Sequence, residues 1–81
     1  MIMKILKLSD GYVTRDKKNN SLWLFFEHKP LREELDGGFW YTVGATKDPE
    51  EITHLPGMEE AFKDLKWEDE PAEVTVNIIK K

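Results

Sequence analysis

The residue types that most often carry out chemistry are few in this sequence, and their spacing fits no recognisable site. His28 and His54 are far apart, and neither a cysteine nor an H-x-x-x-H pattern accompanies them, whereas zinc sites combine several such ligands. Asp48, Glu50 and Glu51 occupy positions that the dipole at a helix start favours, which explains them better than a catalytic carboxylate pair. We therefore expect no metal site, no cofactor and no catalytic residue.

Patterns for nucleophilic and phosphate chemistry are also missing from the sequence. Ser9 and Ser21 fall in predicted turn or strand-edge positions and not in a nucleophile elbow. The "DGG" of residues 36–38 is not followed by Lys and Ser or Thr, and no strand-to-helix frame surrounds it, so it is not a phosphate-binding loop. The sequence therefore predicts a protein that is not an enzyme.

Length and composition predict one small domain over residues 1–81. The chain is 40% hydrophobic and 11% aromatic, which is typical of a folded domain, and it contains no cysteine that could supply a disulfide. A core of this size contributes only about 3–5 kcal/mol, so we expect help from a homodimer. The apolar start "MIMKILKL" is too short for a signal sequence or a membrane span, which predicts a cytoplasmic protein without membrane contact.

The negative charge of the chain is concentrated in its second half. The formal net charge is −4, and residues 48–73 contain 10 acidic residues against only Lys63 and Lys66. Such a surface repels phosphate groups, so duplex nucleic acid is not an expected partner. Two interpretations remain open: an acidic face that serves solubility, or a surface for a protein that normally binds nucleic acid.

The hydrophobic periods predict an α+β fold, with a small antiparallel sheet of four to five strands and one main helix packed on one face. Asp10-Gly11 predicts a first hairpin turn, and "KKNN" predicts a second turn into the strand "SLWLFFEHK", which Pro30 ends. The apolar spacing of "MEEAFKDLKW" predicts a helix over residues 58–66. One helical turn is possible in "LREEL", and another is predicted to begin at Pro49.

The alternation of the central strand separates two faces. Leu22, Leu24 and Phe26 are predicted to pack in the core with residues of the next strand, of the last strand and of the helix; these include Phe39, Tyr41, Val43, Val74 and Val76. The opposite face holds Trp23 and Phe25, joined by Trp40, and a patch of three large aromatic residues is typical of a contact surface. The alternative is that the N-terminal hairpin or the "LREEL" segment covers this face.

The acidic stretch "KWEDEP" also has two interpretations. In the first, Trp67 anchors the end of the predicted helix against the sheet, and Glu68, Asp69 and Glu70 form a solvated turn. In the second, these three acids form a negative ridge with neighbouring acids and imitate a phosphate backbone for a basic protein partner. The neighbouring acids are Glu59, Glu60, Asp64 and Glu73.

Two segments, "HKPLR" and "KWEDEPAEVTV", resemble a group of small proteins of bacteriophages and other mobile elements of gut bacteria. The resemblance covers roughly residues 14–79, and residues 3–15 depart from it. It implies a phage-like or mobile-element origin and a small α+β fold. It implies no activity, so no functional residue is carried over.

Two functions follow from these patterns. The first is a non-catalytic interaction protein that modulates a host or element protein by binding, through Trp23, Phe25 and Trp40 or through the acidic residues 68–70. The second is a single-stranded nucleic-acid-binding module in which sheet aromatics stack bases. In that case the backbone would follow basic residues around the aromatic hairpin: Arg15, Lys17, Lys18, Lys29 and Arg32.

Overall fold

Within residues 4–80, six strands form two antiparallel sheets. The computed structural model describes the backbone of residues 4–80 and the side chains of residues 10–76. The main sheet has four strands in the order β5-β2-β1-β6, and β3 and β4 form a separate two-stranded sheet. The elements of the described residues are β1 Lys4–Arg15, β2 Leu22–Phe26, β3 Leu31–Glu33, β4 Phe39–Tyr41, β5 Glu50–Glu51, α1 Met58–Ala61 and β6 Ala72–Lys80.

The predicted α+β class is wrong, because the protein is mostly sheet and its helix α1 has only four residues. The predicted helix over residues 58–66 stops after Ala61, since Phe62 leaves the helical region with φ −117° and ψ 26°. The carbonyls of Phe62 and Leu65 instead accept hydrogen bonds from the Arg15 guanidinium at 2.8 and 3.0 Å. A buried arginine therefore takes the place of the next helical turn.

The Asp10-Gly11 pair, predicted as a hairpin turn, lies inside the continuous strand β1. Gly11 is paired on both sides, with β2 and with β6. A Cβ at Gly11 would lie 2.6 Å from Cγ2 of Val76 and 3.2 Å from Cδ1 of Leu24, which is closer than side chains pack. The glycine is present because neighbouring side chains close over the strand, and the chain does not turn there.

The turn predicted for "KKNN" is confirmed and joins β1 to β2. The Asp16 amide donates to the Ser21 carbonyl at 2.7 Å, and the Asp16 carboxylate accepts from the Asn19 amide at 3.2 Å. Asn20 adopts φ 63°, a left-handed conformation that asparagine tolerates better than most residues. Local hydrogen bonds thus fix this turn and the position of the Asp16 side chain.

One face of the main sheet carries an aliphatic core centred on Val13, Leu22 and Ile52. The predicted grouping of the Leu22 face with the last strand and the Met58 stripe is confirmed by the partly buried side chains around that centre, Leu24, Met58, Phe62, Leu65, Ala72 and Val74. The prediction is wrong for Phe39 and Val43, which are 42% and 72% exposed. They belong to or follow the separate hairpin, so the alternation of the main sheet does not apply to them.

The β3–β4 hairpin occupies the segment predicted to contain one helical turn. Leu31, Arg32 and Glu33 pair with Tyr41, Trp40 and Phe39, respectively. The tip of the hairpin packs on the β1–β2 turn: a Cβ at the buried Gly38, which has φ +88°, would lie 2.9 Å from Cδ of Lys17. Contact between the two turns fixes the hairpin beside the second face of the main sheet.

The helix predicted to begin at Pro49 is also wrong, because Glu50 and Glu51 form the edge strand β5. They pair with Leu24 and Trp23, and the Ile52 amide donates to the Leu22 carbonyl at 2.9 Å. Ile52 is buried in the core, so its burial outweighs the local signals for a helix start.

Candidate binding site

The second face of the main sheet and the β3–β4 hairpin enclose an aromatic cleft of about 260 Å³. The lining residues are Trp23, Phe25, Phe39, Trp40 and Pro49, together with Thr14, Asp16 and Asn19. The cleft therefore unites the three aromatic residues that the sequence assigned to partner binding. The hairpin covers part of this face, as the alternative interpretation predicted: Phe25 is only 5% exposed.

Strand register places the sheet side of the cleft. Thr14 pairs with Trp23, and Tyr12 pairs with Phe25. Paired residues of an antiparallel ladder project from the same side, and residues two positions apart share that side, so the Trp23 and Phe25 rings lie along one strip of the sheet. The edge strand β5 ends this strip beyond Trp23, next to Pro49. An aromatic strip with a hairpin beside it produces a groove and not a flat patch.

Three polar residues lie at the β1 end of the cleft. Thr14 is fully buried, and its hydroxyl has no hydrogen-bond partner within the described part of the chain. A buried hydroxyl without a partner costs about 1–3 kcal/mol, so such groups are rare in folded proteins. Asp16 and Asn19 belong to the turn that follows β1. The cleft thus combines apolar walls with one unused hydroxyl and one carboxylate.

Arg32 contacts the aromatic residues of the outer wall of the cleft. Its guanidinium carbon lies 4.8 Å from the ring centroid of Trp40 and 5.4 Å from that of Trp67, and the two indole rings meet edge to face at 5.3 Å. Arg32 Nη2 also donates to the carbonyls of Trp67 and Asp69 at 3.0 and 2.8 Å. Trp40 Nε1 donates to the Arg15 carbonyl at 3.2 Å. These contacts position the Trp40 ring beside the opening.

Trp67 is buried, as its predicted role as an anchor requires, but its partners differ from those expected. It packs against Trp40 and Arg32 from the β3–β4 hairpin and not against the end of a long helix. Lys17 Nζ lies 5.7 Å from the centroid of its ring. Trp67 therefore joins the final part of the chain to the wall of the aromatic cleft.

Arg15, which the nucleic-acid alternative placed along a phosphate backbone, is 4% exposed and bonded inside the protein. Its guanidinium donates to the carbonyls of Asn20, Phe62 and Leu65 and to the Glu59 carboxylate, at 2.8 to 3.3 Å. All of these acceptors except Asn20 are more than forty positions away, so no local pattern could have assigned this role. Arg15 is a structural residue and is not available to a ligand.

A second, polar depression adjoins the aromatic cleft and has a volume of about 420 Å³. Asp16 and Lys17 line it together with Lys63, Lys66 and Glu68. Lys63 Nζ is 3.4 Å from the Glu60 carboxylate, so part of its charge is already balanced. The depression contains charges of both signs. Unlike the cleft, it has a single aromatic residue, Trp67, in its described lining.

The acidic turn predicted as a partner surface is exposed but lies apart from the aromatic cleft. Lys66 and Asp69 close this turn, because the Lys66 amide donates to the Asp69 carboxylate at 2.9 Å. Lys29 Nζ lies 2.9 Å from Oε1 of Glu70, and this hydrogen bond lowers the pKa of Glu70 and raises the pKa of Lys29. Of the predicted ridge, Glu59, Glu60 and Glu70 each have a cationic neighbour.

Glu27 is a further residue whose role the sequence did not reveal. It has φ 72° and directly follows β2. The strand therefore ends before Pro30, the residue predicted to end it. Its carboxylate accepts from the Thr46 hydroxyl and amide and from the Lys47 amide, at 2.8, 2.9 and 3.0 Å. These hydrogen bonds, first of all that from the Thr46 side chain, lower the pKa of Glu27. Glu27 therefore fixes the loop that precedes Pro49 in the cleft wall.

The remaining candidates for chemistry stay apart. His28 is exposed, and His54 Nδ1 lies 3.3 Å from the Glu51 carboxylate. Among the residues whose side chains are described, no group of three or more His, Asp or Glu residues is arranged to hold a metal ion. Residues 4–80 also contain no helix with the length and apolar character needed to cross a membrane.

Comparisons with known proteins add no assignment to this geometry. No protein-family model, no curated protein and no solved structure matches the chain. The candidate site is therefore assigned from the geometry of the cleft alone.

Proposed function

We propose that the protein is a non-catalytic interaction protein that binds a segment of another protein in the aromatic cleft. The observation that carries this proposal is the union of Trp23, Phe25 and Trp40 in one groove with the exposed Phe39 at its mouth. Aromatic side chains offer large, rigid contact areas and dominate the energetics of many protein interfaces. A groove lined by them suits an inserted side chain.

The size of the cleft supports a peptide anchor over a large ligand. Pockets for drug-sized molecules and cofactors measure about 300–1,000 Å³, whereas this cleft has about 260 Å³. A single large side chain from a partner fits such a volume, and the rest of the partner would lie along the surface. This is the usual arrangement of a peptide-recognition groove.

The biological setting of the proposal comes from the two segments that resemble mobile-element proteins. In this setting the protein acts in the cytoplasm of a bacterial cell and modulates a protein of the host or of the element. The acidic residues 68–70 are a less favoured contact surface, because Glu70 is already paired with Lys29. A homodimer through the aromatic face stays a prediction, and the covering of Phe25 leaves less area for it.

The single-stranded nucleic-acid alternative has less support. Arg15 is buried, Arg32 and Lys17 lie over indole rings, and Lys29 is paired with Glu70. Four of the five proposed backbone contacts are therefore engaged within the protein. Asp16 stands where the cleft and the polar depression meet and would repel a phosphate.

A peptide-display selection tests the proposed function. Random peptides are selected on the immobilised protein, and the affinities of the selected peptides are then measured for the wild type, for Phe39→Ala and for Val43→Ala. Both positions are exposed and apolar, but only Phe39 lines the cleft. We expect Phe39→Ala to weaken binding at least about tenfold, as loss of an interface anchor does, and Val43→Ala to change it little.

The same selection can contradict the proposal in two ways. Peptides that bind the two variants equally well would place the binding surface elsewhere. Failure to select any peptide, combined with salt-sensitive binding of a thymidine hexanucleotide that Phe39→Ala abolishes, would favour the nucleic-acid alternative.

A further inference from the structure

Several aromatic rings of the protein have a cationic neighbour, including Trp40 in the wall of the cleft, but the other three rings of the cleft have none among the described side chains. Arg32 lies 4.8 Å from the centroid of Trp40, and Lys47 Nζ lies 4.8 Å from that of Phe26. In the same way, Lys17 Nζ lies over the Trp67 ring, 5.7 Å from its centroid. Among the described side chains, no lysine or arginine lies over Trp23, Phe25 or Phe39. Trp23 and Phe39 are partly exposed, so the electron-rich faces of these two rings are open to a cation from outside, whereas Phe25 is buried.

The polar end of the same cleft offers hydrogen-bond acceptors. Asp16 Oδ2 accepts from the Asn19 amide, while Oδ1 has no partner among the described residues. No described lysine or arginine nitrogen lies within the 4.0 Å of an ion pair with this carboxylate. The buried hydroxyl of Thr14 is likewise unused. A carboxylate and a hydroxyl at one end of an aromatic groove are complementary to a cationic group with N–H donors.

We infer that the aromatic cleft binds an arginine side chain of a basic partner segment, with its guanidinium stacked on the open rings and facing Asp16. This inference rests on the proposed function and names the chemistry of the partner. The formal net charge of −4 adds a general attraction for such a segment.

Arginine fits the cleft better than lysine for a geometric reason. A guanidinium is planar, so it stacks on aromatic rings while its edge donates to a carboxylate, whereas an ammonium is a compact and strongly hydrated charge. The protein already uses this arrangement once: Arg32 contacts the Trp40 and Trp67 rings while Nη2 donates to two carbonyls. The cleft also contains aromatic rings, and Trp23 and Phe39 among them have no arginine or lysine over them among the described side chains.

The experiment compares three short peptides that differ in one side chain. The probes are Ac-Gly-Arg-Gly-NH2, its citrulline analogue and its lysine analogue, and citrulline keeps the shape of arginine without the charge. Binding is followed by NMR through the indole N–H signals of Trp23 and Trp40 and the amides of the β1–β2 turn. We expect the citrulline peptide to bind at least about tenfold more weakly, because it loses the cation–π contact and the charged hydrogen bond.

Two variants connect the effect to the polar end of the cleft. Asp16→Asn keeps an oxygen acceptor for the Asn19 amide but removes the charge, so we expect it to lower arginine-peptide affinity about tenfold with little change for citrulline. Thr14→Val removes the unused hydroxyl at nearly constant shape, so we expect equal or higher thermal stability together with weaker arginine binding. A stable, folded Thr14→Val protein keeps the test valid even if Asp16→Asn disturbs the turn.

Several outcomes would overturn the inference. They include equal affinities for arginine and citrulline, shifts confined to the acidic residues 68–70, and cleft shifts that appear on raising the protein concentration alone. Display-selected peptides that fill the cleft without any arginine would refute the cation preference and leave the proposed function intact. Absence of any peptide binding would refute both.

Discussion

The two faces of the main sheet are covered to different extents, although both carry alternate residues of β2. On one face, Leu22 is fully buried in an aliphatic core to which Ile52 also belongs. On the other face, Trp23 is half-buried beside a hairpin that leaves a cleft open. The first face therefore forms the core, whereas the second is only partly covered and contributes less buried surface to stability.

The largest difference is expected from truncating one residue of the core and one residue of the cleft. Leu22→Ala should lower the free energy of unfolding by about 3–5 kcal/mol, since it leaves a cavity in the core. Phe39→Ala should lower it by only about 1 kcal/mol, because the ring is partly exposed already. Urea unfolding followed by tryptophan fluorescence measures both changes. Losses of similar size would show that the aromatic cleft is also part of the core.

Two arginines that bond inside the protein, the buried Arg15 and the half-buried Arg32, extend the comparison with a smaller effect. Arg15→Met should cost about 3 kcal/mol, because the carbonyls of Phe62 and Leu65 and the Glu59 carboxylate lose a partly buried donor. Arg32→Met should cost about 1 kcal/mol, since a methionine still packs against the indole rings and the Asp69 carbonyl lies at the exposed turn. Thermal denaturation compares the two, and a larger loss for Arg32→Met would contradict this ranking.

The smallest effect concerns the loop held by Glu27. Hydrogen bonds from Thr46 lower the folded pKa of Glu27 below its ordinary value of 4.5. The stabilisation by this loop contact is therefore complete above about pH 4.5 and is lost as the pH falls through the folded pKa. The protection factors of the Thr46 and Lys47 amides, which correct for the slower intrinsic exchange in acid, should therefore fall on acidification. The control Glu27→Gln should remove this pH dependence, and its persistence in that variant would assign the effect to another group.

Sequence patterns found the elements that depend on local alternation and turns. β2 with its two faces, the turn at "KKNN" and the alternation of β6 follow from neighbouring residues alone. Gly11 shows where such patterns fail, because its need for space comes from Val76, which is distant in sequence. The interrupted helix is a second example, because Arg15, which is distant in sequence, donates a hydrogen bond to the Phe62 carbonyl.

The candidate site divides along the same lines. Trp23 and Phe25 share a face by alternation, and the sequence suffices to place them together. Their enclosure depends on the β3–β4 hairpin, whose position is set by the contact of Gly38 with Lys17 at the opposite turn. Thr14 gives no signal in the sequence, since a threonine in a strand is ordinary and only its lack of a partner makes it informative.

The pairing of β1 with both β2 and β6 has a consequence for synthesis on the ribosome. The β2 partner follows β1 after one short turn, but β6 begins only at Ala72, so about sixty residues must be made before the second ladder forms. At about 5–20 residues per second, this interval lasts about 3–12 s, and one edge of β1 stays without its partner throughout. Non-local strand pairing of this kind also slows folding after release. The nascent chain is therefore most exposed to aggregation just before its final strand emerges.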